Sequence, residues 1–346
     1  MNPLPALHLP FFANLLLLLV LAKVFGEIME RLRQPALLGE ILAGILLGPS
    51  VLNIMVRSDE IKVISELGVF LLVIIAGLEI NIQEMVKSQK GKNIVISILA
   101  FILPATSGFF VGNLFGLPTV TCFFIGLCVA ITALPVSVRI LMDLGRLKSE
   151  VGQRMISVAI FDDVLALTLL GVLLDLHNME GASYQAIGLQ VGLTLGKVVL
   201  LIIGLVLAYR AVNFLTQQEN FVEHQLDKLL HLMRGKEPLL AILFAFILIF
   251  ASLTEGAGLH FIIGAFFASL LLSKELIGPK NMASFEKTTH GMAMGFLAPI
   301  FFAGVGLEFQ IGAIQHWGLL VAVITASFAS KLLGGLADSL NQFGQQ

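Results

Sequence analysis

The sequence predicts an all-α membrane protein whose chain crosses the bilayer about eleven times. Three observations support this fold class. Hydrophobic residues make up 57% of the 346 positions and charged residues only 13%, which gives a mean hydropathy of +0.95. Apolar runs recur along the chain, and they reach the roughly 20 residues that a helix needs to cross the hydrocarbon core. Positive residues are concentrated in alternate connections between these runs.

The apolar runs define the predicted spans. In order, these are 10–30, 36–54, 63–80, 94–115, 119–142, 151–175, 186–209, 238–254, 258–273, 291–309 and 316–338. No positive residue precedes the first apolar stretch, Pro10 to Ala22, whereas Lys23, Arg31 and Arg33 follow it. This pattern predicts a retained helix with its N-terminus outside rather than a cleaved signal peptide.

The charges on the connections predict the orientation of the remaining spans. With the N-terminus outside, sixteen Lys and Arg residues fall in inner loops and flanks, and the outer side keeps only Arg57 and Lys62. The inner residues are Arg31, Arg33, Lys87, Lys90, Lys92, Arg139, Arg146, Lys148, Arg154, Arg210, Lys228, Arg234, Lys236, Lys274, Lys280 and Lys287. Cytoplasmic loops carry such an excess, so we expect a multi-pass protein of the cell membrane with the main linker in the cytoplasm.

A weak internal repeat divides the chain into two halves. LLGEILAGILLG and LGVFLLVIIAGLEINI in the first half match LHFIIGAFFASLLL and MGFLAPIFFAGVGLEFQI in the second. The matching spans are seven apart and cross the membrane in opposite directions, which predicts the inverted repeat of many secondary transporters. Chance likeness between glycine-rich apolar helices is the alternative.

The repeat also predicts the domain organisation. Residues 1–216 form the first inverted repeat with a linking helix, in about seven spans. Residues 217–237 form a polar cytoplasmic linker, and 238–346 form the second inverted repeat. The second repeat stops after its fourth matching span, so its last two helices are expected to be missing. A fragment, a truncated gene and a naturally short protein all fit this pattern.

Two adjacent aspartates, Asp162 and Asp163, interrupt the apolar run from Met155 to Leu174. A carboxylate at the centre of a spanning helix costs about 2.5 to 3.5 kcal/mol, so two side by side indicate a function. A solvated helix end is the alternative. However, the run after Asp163 reaches Asp175 within about 11 residues, which is too few to span. The pair therefore predicts an intramembrane site for protons or cations.

The span before the aspartates carries a proline near its middle. Pro135 follows Thr132 and precedes Ser137 in the segment ITALPVS. Because proline lacks a backbone N–H and breaks a helix, nearby carbonyls and hydroxyls become free to face a cation. A kink satisfied by neighbouring helices is the alternative. A broken helix beside a buried acid predicts an ion site.

Composition and motifs exclude several other functions. The formal net charge of −2 provides no basic surface for nucleic acid. The sequence contains no GxxxxGK[ST] loop, so an ATP-driven pump is not expected. Cys122 and Cys128 lie in one apolar run without CxxC spacing, which predicts packing residues rather than a disulfide or a metal site.

Five segments, taken in order, carry a resemblance to a known family. They are QPALLGEILAGILLGPSVL, ELGVFLLVIIAGLEI, ITALPVSVRILMDLGRLKSEVGQRMISVAIFDDV, GLHFIIGAFFASLLL and APIFFAGVGLEF. Each alone is a glycine-rich apolar segment, but together with the aspartate pair they resemble the monovalent cation:proton antiporter 2 family. This family has a sodium/hydrogen exchanger-like membrane domain. The resemblance covers nearly the whole chain.

The resemblance implies a sodium/proton antiporter-like fold of two inverted repeats, with about eleven of thirteen helices present. It also implies a homodimer in which a core domain moves against a dimerisation domain. Asp163 is then the main ion and proton carrier, and Asp162 pairs with Lys331 in the helix after the PIFF segment. The unwound stretch maps onto Thr132 to Ser137. A lysine near the end of a span can instead extend to the membrane surface without any function.

These observations and the family resemblance predict a secondary antiporter, not an enzyme, that exchanges a monovalent cation for protons. Na+ is favoured, and K+ remains open. The aspartate pair predicts electrogenic exchange, because two carboxylates allow the numbers of protons and cations exchanged to be unequal. The cation and protons are transported rather than held as cofactors, and the predicted partners are the lipid bilayer and a second copy of the chain. Two alternatives remain open: a passive cation channel, and a non-transporting truncated or regulatory membrane protein.

Overall fold

The computed structural model describes most of the chain outside the segment around residue 180. The described residues are 10–56, 58–80, 92–149, 151–156, 158–159, 162, 196, 203–204, 207, 210, 238–257, 260–272, 277–314 and 316–343. Every regular element among these residues is a helix. This confirms the predicted all-α fold class.

Eleven α-helices are defined within the described part of the chain, and we number them in chain order. Six precede the aspartate pair: α1 (Phe11–Arg31), α2 (Ala36–Leu47), α3 (Asp59–Glu79), α4 (Lys92–Leu114), α5 (Thr119–Ala130) and α6 (Leu134–Asp143). Five follow it: α7 (Pro238–Gly256), α8 (Phe261–Leu271), α9 (Pro279–Met292), α10 (Ala298–Leu307) and α11 (Trp317–Phe343). A π-helix, Ala293–Leu297, joins α9 to α10, and a short 3₁₀ turn, Ile311–Ala313, follows α10.

Local sequence signals set several of these boundaries. Helices α1, α2 and α5 each begin directly after a proline, whose fixed φ suits a helix start. The Ser58 hydroxyl accepts a hydrogen bond from the Ile61 backbone N–H at the start of α3. The π-helix stands immediately before Pro299, where the missing proline N–H leaves the regular helical bonding incomplete.

Six helical stretches in the described residues are long and apolar enough to cross a membrane. They are Phe11–Arg31, Asp59–Glu79, Thr119–Asp143, Leu239–Gly256, Pro279–Ala313 and Trp317–Gly334, accompanied by three shorter apolar helices. The span predicted at 291–309 belongs to a helical stretch that begins earlier, at Pro279. The prediction began too late because the residues of α9 are polar and give no apolar signal. The spans predicted at 151–175 and 186–209, and the linker 217–237, lie largely or wholly outside the described residues.

The chain forms two compact units. The first contains α1 to α3, α6 from Pro135 onwards, and α7 to α10. The second contains α4, α5, α11 and Asp162. Each unit draws helices from both predicted sequence halves, so the units do not follow the repeat boundary. The division into 1–216, 217–237 and 238–346 remains a prediction about sequence ancestry.

In the first unit, two pairs of helices pack in the same way. Gly39 on α2 lies against the backbone of Phe25 on α1, and Gly264 on α8 lies against the backbone of Phe250 on α7. Phe25 and Phe250, like Gly39 and Gly264, are 225 residues apart. The sequence repeat therefore reappears as a repeated helix contact.

The same unit contains a second pair of matching contacts. Helix α2 crosses α10 at Gly44, where an added Cβ would collide with the backbone of Ala303. Helix α3 crosses α8 at Gly77, where an added Cβ would lie 2.6 Å from both Phe266 O and Ser269 Cβ. Small residues at these positions allow the close backbone approach that helices in lipid use for packing.

The second unit is built on the close packing of α4 against α5. A Cβ added at Gly108 of α4 would lie 2.8 Å from the Cα of Gly126 on α5. Phe101, Leu127 and Ala130 form a buried apolar cluster at this contact. Helix α11 packs against α4 and α5, which brings Lys331 into the same unit as the end of α5.

Candidate ion-binding site

The predicted broken helix is interrupted at Ile131–Ala133. Helix α5 ends at Ala130, residues 131–133 are not helical, and α6 begins at Leu134. Pro135 lies in the first turn of α6, where its missing N–H removes no helical hydrogen bond. The interruption places free backbone groups and the Thr132 hydroxyl within a candidate membrane span.

Asp162 is buried beside this interruption, with 2% of its surface exposed. The Thr132 hydroxyl donates a hydrogen bond to Asp162 Oδ2 over 3.1 Å. Thr132 and Asp162 are thirty residues apart in the sequence and belong to the same unit. The hydroxyl thereby holds one oxygen of the Asp162 carboxyl group at the point where the helix stops.

Lys331 reaches the same place from α11. Its ammonium donates to the Ile131 carbonyl and to Thr132 Oγ1, in both cases over 3.2 Å. The carbonyl bond satisfies a backbone acceptor at the point where the helix stops. Thr132 accepts from Lys331 and donates to Asp162, so its hydroxyl links the ammonium to the carboxylate. The predicted pairing of Asp162 with Lys331 itself stays a prediction.

The second oxygen of Asp162 has no hydrogen-bond partner in the described part of the structure. Asp162 Oδ1 is buried, and a buried carboxylate oxygen without a partner is costly. A proton or a cation would satisfy it. The arrangement is thus a carboxylate with one oxygen held by a hydroxyl and one oxygen available to a small positive ligand.

The other predicted site residues are placed less fully. Asp163 lies outside the described residues, so its role as main carrier and cation ligand stays a prediction. Ser137 and Pro135 belong to α6 in the first unit, and their part in ion binding also stays a prediction. No group of three or more His, Cys, Asp and Glu side chains in the described residues could hold a metal ion. A transported monovalent cation would use hydroxyl and carbonyl oxygens as well as carboxylates.

The first unit contains a buried ion pair that the sequence pattern did not reveal. Arg139 Nη2 on α6 lies 3.1 Å from Glu40 Oε1 on α2, and both side chains are almost fully buried. The charge pattern predicts Arg139 at the inner membrane surface, yet the structure buries it within a helix. The signal for Glu40 was a single carboxylate in the apolar run LLGEILAGILLG, because an isolated charge in a span requires a partner.

Comparison with protein families identifies the family of this chain. The family model described as "Sodium/hydrogen exchanger, transmembrane" matches residues 16–339. The chain belongs to this family. Its members are transporters, so the predictions of the family and of a protein that is not an enzyme are confirmed.

Bacterial exchangers are among the most similar proteins. The probable Na+/H+ antiporter GerT of Bacillus cereus is 28% identical over 338 residues, which cover 97% of this chain and 84% of the relative. The Na+/H+-K+ antiporter GerN of the same organism is 27% identical, covering 94% of this chain and 78% of the relative. The exchanger family places this chain among multi-pass membrane proteins.

A solved structure supports the fold. The sodium proton antiporter MjNhaP1 of Methanocaldococcus jannaschii matches with a TM-score of 0.61 at 18% identity. The alignment covers 93% of this chain and 76% of that protein. At this level of identity the likeness establishes the fold alone, and it confirms the predicted antiporter-like architecture.

Proposed function

We propose that this protein exchanges a monovalent cation, Na+ rather than K+, for protons across the cell membrane. The observation that carries the proposal is the buried Asp162, whose Oδ2 is bonded by Thr132 and whose Oδ1 has no partner in the described residues. Family membership supports exchange of a cation for protons as the class of activity. Asp162 and Asp163 are the proposed ligands, with Asp163 as main carrier.

The mechanism follows from competition for the same oxygens. Protons and the cation occupy the same aspartates, so the site can cross the hydrophobic interior with either ligand but not with both. Exchange results if the site opens to only one side at a time. The Lys331 ammonium keeps Thr132 and the helix break ordered when no cation is bound. Two adjacent acids and one lysine allow unequal charges in the two crossings, so we expect electrogenic exchange.

The distribution of residues suggests which part of the protein carries the ion. Asp162, Thr132 and Lys331 all belong to the second unit. We propose that these three residues act together in ion binding and that the protein works as a homodimer. The preference for Na+ rests on relatives whose printed names include Na+/H+ exchange. The K+ in the name of GerN keeps K+ as the second candidate cation.

Purified protein in liposomes would test this function. A pH gradient is imposed, luminal pH is recorded, and Na+ or K+ is added outside. We expect cation-dependent proton movement for the wild type and none for Asp163→Asn. Asp162→Asn should lose most of the flux. The exposed Arg31→Gln variant is a control outside the site, because the ion pair that Arg31 forms in the described part of the chain is a surface pair with Glu27.

The same vesicles distinguish the alternatives. A passive channel would carry cation current that does not depend on a proton gradient, and Na+ would then dissipate its own gradient without moving protons. A folded protein that moves neither ion would indicate a non-transporting membrane protein. Equal flux in wild type and Asp163→Asn would contradict the assignment of the aspartates.

A further inference from the structure

The ion pair between Glu40 and Arg139 is the most buried charged contact in the described part of the first unit. The exposed fractions of the two side chains are 1% and 4%. Arg139 uses its remaining nitrogens on Asp143, 3.2 Å away on the same helix, and on the sulfur of Met294, 2.9 Å away. The Lys23 ammonium donates to the Met294 carbonyl over 2.8 Å. Arg139 therefore ties α6 to α2 and to the π-helix.

The internal repeat indicates that packing does not require this carboxylate. Glu40 and Ala265 are 225 residues apart, the same separation as Gly39 and Gly264. Helix α8 packs through Gly264 as α2 packs through Gly39, and Ala265 is fully buried. One repeat thus forms the same helix contact with an alanine where the other has a glutamate. A buried ion pair is in any case weak evidence for stability, since apolar pairs of similar volume often serve as well.

The ion pair between Glu40 and Arg139 sets the orientation of α6. Val136 and Ile140 of α6 pack against the apolar cluster that includes Leu37 and Phe302. Apolar contacts of this kind tolerate small rotations and shifts of a helix. A guanidinium bonded to a carboxylate on one helix and to a sulfur on another fixes both the rotation and the height of α6. Glu40 Oε2 is buried without a hydrogen-bond partner in the described residues, so the pair is not optimised for stability.

Helix α6 is the direct continuation of the interrupted segment. Only Ile131–Ala133 separate it from α5, and Thr132 lies seven residues before Arg139. The place where α6 begins therefore restricts the backbone of Thr132. We propose that Arg139 and Glu40 are positioning residues that hold α6 so that Thr132 presents its hydroxyl and the neighbouring carbonyls to the cation. This inference rests on the proposed function.

An apolar double variant separates positioning from stability. In Glu40→Leu/Arg139→Met, both charges are replaced by apolar groups, which should preserve folding. We expect a melting temperature near that of the wild type, but an apparent KM for Na+ raised about tenfold with a smaller change in kcat. Arg139→Lys keeps the charge but loses the planar fork, and should raise KM by less. Arg31→Gln is the matched control for loss of an exposed arginine.

A measurement that does not depend on transport complements the kinetics. Amide hydrogen exchange over residues 130–134 should increase several-fold in the double variant, while exchange in α4 stays unchanged. Wild-type KM and wild-type exchange in this segment would overturn the positioning role and leave the pair as packing. If Asp162→Asn transports normally, the proposed function fails. If Asp162→Asn is inactive but the pair variants keep wild-type KM, only this inference fails.

Discussion

The hydroxyl of Thr132 donates a hydrogen bond of 3.1 Å to Asp162 Oδ2. Thr132 lies in the non-helical break between α5 and α6, thirty residues from Asp162, and the same hydroxyl accepts from the Lys331 ammonium. The non-helical break at Thr132 is therefore bonded by the Asp162 carboxylate and by the Lys331 ammonium. Asp162 Oδ1 has no hydrogen-bond partner among the described residues, which makes this arrangement suited to a ligand that binds reversibly.

Removal of the Thr132 hydroxyl should weaken cation binding. Thr132→Val keeps the shape of the side chain but leaves Asp162 Oδ2 and Lys331 without this partner. We expect an increase of about tenfold in the apparent KM for Na+ in proteoliposomes, as for the loss of a hydrogen bond to a buried charge. Thr132→Ser should stay near the wild-type value.

A threonine on α11 provides the control for this substitution. Thr325 bonds only the Val321 carbonyl of its own helix among the hydrogen bonds described, so Thr325→Val should leave KM unchanged. Equal effects of Thr132→Val and Thr325→Val would argue against a role for the bridging hydroxyl.

Protons and the cation should compete in the wild-type protein. Because both ligands bind the same carboxylates, lower pH leaves fewer sites open to Na+. For each unit by which the pH falls, the apparent KM for Na+ should rise about tenfold if one proton competes with the cation. The rise should be steeper if the aspartate pair binds two protons. Initial rates at several pH values on the cation side measure this slope. A KM independent of pH would exclude a shared site.

The sequence predicted the parts of this site that local patterns reveal, but not the contacts between residues far apart in the chain. Asp162 and Thr132 were found because a carboxylate and a helix-breaking motif are anomalous in apolar spans, and such anomalies are local. The role of Thr132 as a bridge to Lys331 could not be derived, because it depends on how α11 packs against α5. The family resemblance supplied Lys331, whereas the residues alone left a lysine that could extend to the membrane surface.

For the fold as well, the sequence predicted the features that local apolar patterns reveal and missed those that depend on tertiary packing. Apolar length identified α1, α3, α5 with α6, α7 and α11 within a few residues. The start of α9 was missed because its residues are polar, so hydropathy gave no sign of a helix. The Glu40–Arg139 pair was missed because Arg139 resembles a surface charge next to Arg146 and Lys148. Only tertiary packing distinguishes a buried arginine from one that marks a loop.

At the crossing of α2 and α10, Gly44 should not tolerate substitution by any residue with a side chain. A Cβ at Gly44 would collide with the Ala303 backbone and lie 2.9 Å from the Gly306 Cα. Gly44→Ala should lower stability in detergent by about 2 kcal/mol or more, because neither backbone can move aside easily. Gly291→Ala is the control, since no atom of the described residues lies within 4 Å of its added Cβ. In a helix that change should be neutral or stabilising by up to about 1 kcal/mol.

The predicted orientation can be tested with single cysteines. In a Cys122→Ala/Cys128→Ala background, Lys62→Cys should react with a membrane-impermeant thiol reagent in intact cells. Arg146→Cys should react only after the membrane is opened. Both native side chains are exposed in the structure, so burial does not complicate the comparison. The reverse pattern would place the N-terminus in the cytoplasm.

Proton release on cation binding tests most directly whether one buried site binds either protons or the cation. Na+ is added to purified protein in weakly buffered detergent solution at constant pH, and the protons released are counted. We expect release that saturates with Na+ in the wild type and in Arg31→Gln, and none in Asp162→Asn/Asp163→Asn. Na+ binding without proton release, or release that persists in the double variant, would contradict it.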